Sequence, residues 1–66
     1  MDIICNGEQR AVEESSTISD LVTELGLNPI TLVAEVNGII LEQTDFTGLR
    51  LREGDKVELI RFVGGG

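Results

Sequence analysis

The sequence contains no histidine, tyrosine or tryptophan, and its 66 residues include only one cysteine, one proline and two phenylalanines. One cysteine cannot form an internal disulfide, and without histidine there is no set of residues that resembles a zinc site. The same absences remove the nucleophile and base pairs on which covalent catalysis depends. No glycine-rich loop opens a helix, as nucleotide-binding loops do. The composition predicts a protein that is not an enzyme and that binds no metal and no cofactor of its own.

Positive charge is also scarce, since five basic residues face twelve acidic ones and the formal net charge is −7. Nucleic acids and anionic membranes both attract positively charged proteins, so neither is an expected partner. No hydrophobic run approaches the length of a transmembrane helix, and the amino terminus has no signal-peptide pattern. We therefore expect a soluble cytoplasmic protein. Four of the five basic residues follow Phe46, which leaves the last third of the chain near neutral on an otherwise acidic body.

The first residues predict a β-hairpin. Asp2 to Cys5 is a short apolar run, and Asn6-Gly7 is the dipeptide most typical of a type I′ turn. Gln9 to Glu13 returns beside the first run. Cys5 has no neighbouring base and no helix amino terminus to activate it, so we expect a small buried residue and not a nucleophile.

One helix is predicted between Thr17 and Gly26. Thr17 is a favourable N-cap, and Asp20 follows three residues later, as in a capping box. Apolar residues at the spacing of one helical face are Ile18, Leu21, Val22 and Leu25. Gly26 is predicted to end the helix in a left-handed conformation, with Leu27 folded back on Val22.

Three further strands are predicted after the helix: Thr31 to Val36, Ile39 to Leu41, and Lys56 to Val63. Asn37-Gly38 supplies a second hairpin turn between the first two of them. The polar segment between Leu41 and Leu49 has Phe46 as its apolar anchor, and Gly54 provides the positive φ of a tight turn before the last strand. We expect the apolar set Leu32, Ala34 and Val36 to face the core.

We summarise this order as ββαββ, a small α+β domain in which a mixed sheet wraps one helix and the long final strand lies in the sheet interior. The alternation of side chains along that strand places Val57 and Leu59 on the core face. Ile60 and Phe62 then stand on the solvent side, next to Val63. We interpret Ile60, Phe62 and Val63 as an anchor patch for a partner protein.

The sequence ends in Gly64-Gly65-Gly66. Glycines have no Cβ, so such a tail is narrow enough to enter a slot that side chains would block, and it reaches roughly 10 Å when extended. We therefore divide the chain into a domain at residues 1–63 and a flexible tail at 64–66. A terminal carboxylate becomes reactive only when its oxygen is made a leaving group, as adenylation by ATP would do. Glycine-rich ends also occur as frayed termini, so the tail alone does not decide the function.

The chain resembles the ThiS family, the small ubiquitin-like sulfur carriers of bacterial thiamin biosynthesis. The resemblance covers the full length and lies in these blocks: the opening strand with Asn6-Gly7, the helix from Thr17 to Leu25 that ends at Gly26, Ala34 to Gly38, Leu51 to Glu58, and Phe62 to Gly66. The specific part is the combination of a Glu-Gly-Asp turn, an eight-residue strand and a terminal glycine pair.

The resemblance implies a β-grasp fold and a mechanism. A ThiF-type adenylyltransferase activates the Gly66 carboxylate with ATP, and sulfur from a cysteine persulfide, supplied indirectly by a cysteine desulfurase, replaces AMP. A ThiG-type thiazole synthase then takes the sulfur from the terminal thiocarboxylate. In this scheme Gly66 bears the sulfur, while Gly64 and Gly65 thread the active sites of the partners. The family supplies no catalytic side chain beyond these.

Three other functions stay open. The small subunit of molybdopterin synthase has the same fold and chemistry, but such chains tend to be longer and to carry a proline before the glycines, which Arg61-Phe62-Val63 lacks. A ubiquitin-like modifier would form an isopeptide bond with a target lysine. A passive interaction module would not need its tail.

Overall fold

The computed structural model of the protein describes residues 1–62. Within this range the secondary structure consists of β1 (Asp2–Cys5), β2 (Glu8–Ala11), α1 (Ile18–Glu24), β3 (Leu32–Val36), β4 (Ile39–Leu41) and β5 (Lys56–Arg61). Short 3-10 turns at Pro29–Thr31 and Gln43–Asp45 precede β3 and follow β4. No helix in this range is long and apolar enough to cross a membrane.

The strands form one mixed sheet in the order β2-β1-β5-β3-β4. β5 runs parallel to β1 and antiparallel to β3, while the two hairpin pairs are antiparallel. The predicted α+β class, with the final strand inside the sheet, is confirmed. All three strands predicted after the helix are present as β3, β4 and β5, so the shorthand ββαββ counts one strand too few. The described chain therefore has the order ββαβββ.

Both predicted hairpins turn at an Asn-Gly pair. Asn6 and Gly7 have φ values of 50° and 82°, and the corresponding values at Asn37 and Gly38 are 53° and 84°. Positive φ at both central residues is the requirement of a type I′ turn, whose twist matches that of the strands it joins. The turns thus fix the register of β1 with β2 and of β3 with β4.

The helix α1 has the predicted caps at both ends. The hydroxyl of Thr17 accepts a hydrogen bond from the amide of Asp20, and the Asp20 carboxylate accepts one from the amide of Thr17. At the other end the amide of Leu27 donates to the carbonyl of Val22 at 3.0 Å, and Gly26 has φ +71°. This is the Schellman pattern, and it ends the helix after two turns.

The core lies between α1 and one face of the sheet. Its largest fully buried side chains are Ile3, Ile18, Leu21, Val22 and Val57. The predicted inward set of β3 is confirmed, because Leu32, Ala34 and Val36 are all buried. Phe46, the predicted apolar anchor of the segment after β4, is also buried in the core. Because the chain lacks a disulfide in the described range, the apolar side chains supply most of the stabilisation, at about 25 cal/mol per Å² of apolar surface buried.

Two strands, β2 and β5, end earlier than predicted. β2 ends at Ala11, and although the amide of Val12 still donates to the carbonyl of Met1, the chain then turns at Ser15, which has φ +66°. β5 ends at Arg61, because the amide of Phe62 donates to the carbonyl of Thr31, which lies in a 3-10 turn and not in a strand. Val63 lies outside the described residues.

Candidate functional site

The candidate site is the carboxyl end of the central strand β5, where the chain leaves the sheet toward residues 63–66. β3 lies along this end, with Val33 opposite Ile60 and Leu32 opposite Arg61. The amide of Phe62 then donates to the carbonyl of Thr31 at 3.1 Å. Backbone hydrogen bonds therefore fix the direction of the chain as far as Phe62.

The side chains at this end are apolar and exposed. Ile60 keeps 51% of its accessible surface and Phe62 keeps 48%, whereas the neighbouring Val57 and Leu59 are buried. The predicted faces of β5 are thus confirmed. Val33 is half-buried and shares the open face with Ile60, because directly opposed residues point to the same side of a sheet. We refer to Ile60, Phe62 and Val33 as the exit surface.

Single exposed apolar side chains are ordinary on protein surfaces. Here two large ones stand two residues apart at one strand end, and a third, Ile30, 70% exposed, directly precedes Thr31, whose carbonyl accepts the hydrogen bond from Phe62. Clustered exposed apolar side chains are typical of a surface that binds a partner. Both side chains are exposed enough to contact a partner, and their role in partner binding stays a prediction.

The side chain of Asn6 holds this strand end from the other side. Its Oδ1 accepts a hydrogen bond from the amide of Leu59 at 2.8 Å, and its Nδ2 donates to the carbonyl of Leu59 at 3.4 Å. The amide of Asn6 also donates to the carbonyl of Val57. Asn6 therefore continues the pairing of β1 with β5 by one residue, directly before Ile60.

Sequence reasoning identified Asn6 as a turn residue only, and it assigned no role at the site to Thr31 or Val33. Asn6 and Leu59 are 53 residues apart in the chain, so no local sequence pattern predicts the contact between them. An Asn-Gly pair predicts a turn from local conformation, but it carries no information about which strand lies within reach of the side chain.

The remaining predicted site residues are Val63, Gly64, Gly65 and Gly66, and all four lie outside the described residues. Their assigned roles stay predictions: Val63 in the anchor patch, Gly64 and Gly65 in threading a partner, and Gly66 as the attachment point. So does the division of the chain at residue 63.

Cys5, the single thiol, is a core residue as predicted. It lies opposite Val57 in the sheet and is 9% exposed. Burial raises the pKa of the Cys5 thiol; the positive charge of Arg10 opposes this shift, and the nearby carboxylates of Glu58 and Glu8 add to it. A thiol that holds its proton is a poor nucleophile. Within residues 1–62 no three potential metal ligands lie together.

The structure is similar to solved members of one family. It superposes on the crystal structure of the thiamine biosynthesis protein ThiS from Geobacter metallireducens with a TM-score of 0.86 and 32% sequence identity, and all of both chains is covered. The solution structure of a thiamine biosynthesis protein from the same organism gives a TM-score of 0.80. The β-grasp fold implied by the sequence is thereby confirmed.

Comparisons of sequence give a second set of relatives. The chain is 33% identical over 66 residues to a protein named thiazole synthase from Paramagnetospirillum magneticum, and 32% identical to one from Magnetococcus marinus. It spans only 20% of the length of either protein. It is also 33% identical to the uncharacterized protein ycf40 of Pyropia yezoensis, of which it covers 93%.

The family model described as "ThiS family" matches residues 3–66, which is nearly the whole chain. Together with the similarity in structure over the full length, this match settles the assignment: the chain belongs to the ThiS family.

Proposed function

We propose that the protein is a sulfur carrier of thiamin biosynthesis whose last residue, Gly66, bears the sulfur. A ThiF-type adenylyltransferase joins the Gly66 carboxylate to AMP from ATP, with release of pyrophosphate. The outer sulfur of a cysteine persulfide, derived from a cysteine desulfurase, then displaces AMP, and a thiol cleaves the resulting acyl disulfide to leave a thiocarboxylate. A ThiG-type thiazole synthase accepts that sulfur. The domain itself is a co-substrate and supplies no catalytic side chain.

The observation that carries the proposal is the position of the exit surface. β5 is the central strand, and its last residues are bound on one side by Asn6 and on the other by Thr31. Exposed Ile60 and Phe62 therefore stand at a fixed place beside the point where the glycines follow in sequence. A partner that binds this surface would hold the chain at Phe62, four residues before Gly66 in the sequence.

The free energy gained by burying the exit surface is comparable to the free energy lost by ordering the three terminal glycines. Ordering three glycines inside a partner costs about 1 to 2 kcal/mol each in backbone entropy. Burying Ile60 or Phe62 in the same complex contributes roughly 1.5 to 3 kcal/mol apiece. The exit surface is therefore of the size needed to offset the cost of ordering residues 64–66, and we assign Ile60, Phe62 and Val63 to partner binding.

The open face of the sheet extends the exit surface with negative charge. Glu35 of β3 and Glu58 of β5 lie directly opposite each other on this face, next to the pair formed by Val33 and Ile60. Like charges in directly opposed positions destabilise a sheet in isolation. A partner with basic residues around an apolar contact would relieve this repulsion and would be steered by the net charge of −7.

The relatives named thiazole synthase support the choice of acceptor. The whole chain matches a fifth of each of those proteins. Each protein named thiazole synthase therefore contains a segment that is similar to this domain. Segments that act together are found in one polypeptide because linkage raises their effective concentration. This supports a ThiG-type enzyme as a partner of the present chain.

Adenylation provides the direct test. The full chain is mixed with a ThiF-type adenylyltransferase, ATP and labelled pyrophosphate, and pyrophosphate exchange into ATP is measured. We expect exchange with the native chain and none after deletion of Gly65 and Gly66. Gly66→Ala should slow exchange, because its methyl group intrudes where the carboxylate approaches ATP.

The matched control is Gly48→Ala. A Cβ at Gly48 has no neighbouring atom within 4 Å, so the substitution adds the same methyl group without strain. This variant should support exchange at the native rate. Exchange that continued undiminished after deletion of the last two residues would overturn the proposal.

A further inference from the structure

A groove opens at the opposite end of β5, away from the exit surface. It has a volume of about 640 Å³ and lies between the β3–β4 turn and the segment of residues 48–52. Its apolar wall includes Ile39, Leu41 and Leu49, and its charged wall includes Arg50 and Arg52. We call these five residues the arginine groove.

The groove exists because α1 is too short to cover the whole sheet. Seven residues make a helix about 10 Å long. Ile39 lies opposite Val36 and therefore on the core face, yet it is 67% exposed while Val36 is buried. The core face of β4 is thus left open at this end, with Leu49, 37% exposed, beside it.

The two arginines point toward the same side of their segment. Leu51 between them is buried, and its amide donates to the carbonyl of Ser16 at 2.7 Å. Residues two apart in an extended segment share a face and are about 6.6 Å apart. Neither Arg50 nor Arg52 forms an ion pair within residues 1–62, although twelve acidic residues are present in the chain.

One carboxylate, that of Asp55, also lines the groove, but its oxygens are already engaged. Oδ1 accepts a hydrogen bond from Nδ2 of Asn37 at 3.0 Å, and Oδ2 accepts one from the amide of Arg52 at 2.8 Å. Asp55 therefore fixes the wall of the groove and leaves the guanidinium groups available to a ligand.

The shape favours a peptide over a small molecule. Small-molecule sites bury most of their ligand, whereas Ile39 at 67% exposure belongs to a shallow surface. Alternate side chains of an extended peptide lie on one face, at the same spacing as Arg50 and Arg52. Two carboxylates at alternate positions of the peptide would therefore contact both arginines. Its apolar side chains would cover Ile39 and Leu49.

We propose that the arginine groove binds an extended segment of a partner protein in which acidic and apolar residues alternate. The length of β5, about 20 Å for six residues, separates this groove from the exit surface. A partner can therefore hold the domain here while the exit surface is engaged by another. The proposal does not depend on the sulfur-carrier function.

The test is a titration of the isotopically labelled full chain, followed by the chemical shifts of its backbone amides. The probe is the peptide acetyl-Asp-Leu-Asp-Leu-Asp-amide, and the comparison peptides replace Asp by Lys or Leu by Ser. We expect saturable shifts with the probe at residues 39–41 and 48–52, and much weaker binding of both comparison peptides.

Three variants test the groove, and one of them, R61Q, controls for general charge effects. The double variant R50Q/R52Q should bind the probe about tenfold more weakly, because it loses two charge-assisted contacts. R61Q, at the other end of β5, should bind as the native chain does. Ile39→Ser, at an exposed position, should also weaken binding. Unsaturable shifts, shifts centred on Ile60 and Phe62, or unchanged binding in R50Q/R52Q would overturn the proposal.

Discussion

The two ends of β5 are held by the same kind of contact but have different surroundings. At the carboxyl end the Oδ1 atom of Asn6 accepts a hydrogen bond from the amide of Leu59 at 2.8 Å, and at the amino end Oδ1 of Asn37 accepts one from the amide of Lys56 at 3.0 Å. Each asparagine begins an Asn-Gly hairpin turn. Around the first contact the exposed apolar side chains Ile60 and Phe62 stand just before the glycines in the sequence, whereas around the second the exposed Ile39 and Leu49 stand beside two arginines.

The comparison distinguishes the contacts of β5 that hold the fold together from the exposed side chains that a partner could contact. The backbone of β5 is fixed by polar contacts at both ends, and its core face by the buried Val57 and Leu59. The exposed Ile60 and Phe62 contribute little to that arrangement. Their substitution is therefore expected to change the proposed partner binding more than the stability of the fold.

The largest expected effect is the difference in stability between substitutions on the two faces of β5. Leu59→Ala removes a side chain that is 7% exposed and should lower the free energy of unfolding by about 2 to 5 kcal/mol. Ile60→Ala, one residue later and 51% exposed, should cost less than about 1 kcal/mol. Urea unfolding measures both. Equal losses would mean that the two faces do not differ as described.

The next effect concerns binding. Phe62→Ala should weaken the complex with a ThiF-type partner by about 1.5 to 3 kcal/mol, which is roughly tenfold to more than a hundredfold, and should leave the urea midpoint unchanged. Affinity is measured by calorimetry. Ile40→Ala is the matched control, because Ile40 is apolar and 66% exposed but belongs to neither the exit surface nor the arginine groove. If Phe62→Ala unfolded the protein, the assignment of its face would be wrong.

A smaller effect compares the two asparagines. Asn6→Gly keeps the positive φ of the turn but leaves the amide of Leu59 without a partner, which should cost about 1 to 3 kcal/mol. Asn37→Gly removes a contact to Lys56 that is exposed to water and should cost less. Amide hydrogen exchange at Leu59 should accelerate in the first variant only. Identical stability losses would contradict a special role of Asn6 at the exit surface.

The smallest effect is a pH dependence that originates in the middle of the sheet, at Cys5. Because burial raises the pKa of this thiol in the folded protein, the unfolded chain ionises first, near its ordinary value of about 8.5. The contribution to stability is therefore complete below that pH and is lost as the pH rises toward the folded pKa. Urea unfolding between neutral and alkaline pH should show this decline. Cys5→Ala should remove it, and an unchanged slope in that variant would assign the decline to other groups.

Features of the fold that depend on neighbouring residues were predictable from the sequence. The caps of α1 at Thr17 and Gly26 follow from local backbone geometry, and both Asn-Gly turns follow from their φ requirements. The faces of β5 follow from the alternation of side chains along a strand, so the sequence alone predicts that Ile60 and Phe62 are exposed, as they are in the structure.

Features that depend on distant contacts were not predictable. The pairing partners of β5, which are β1 and β3, do not follow from any local pattern. The contact between Asn6 and Leu59 joins the two ends of the chain. The arginine groove requires that α1 leave the core face of β4 uncovered, and this depends on where a seven-residue helix packs and not on any local pattern.

The central claim is that Gly66 carries sulfur, and the most direct measurement is the intact mass of the protein purified from cells that actively make thiamin. The sulfur-carrier account predicts a fraction that is heavier by the exchange of one oxygen for sulfur, located at Gly66 by fragmentation. Finding only the unmodified carboxylate, even after incubation with ATP, a ThiF-type enzyme and a sulfur source, would contradict it.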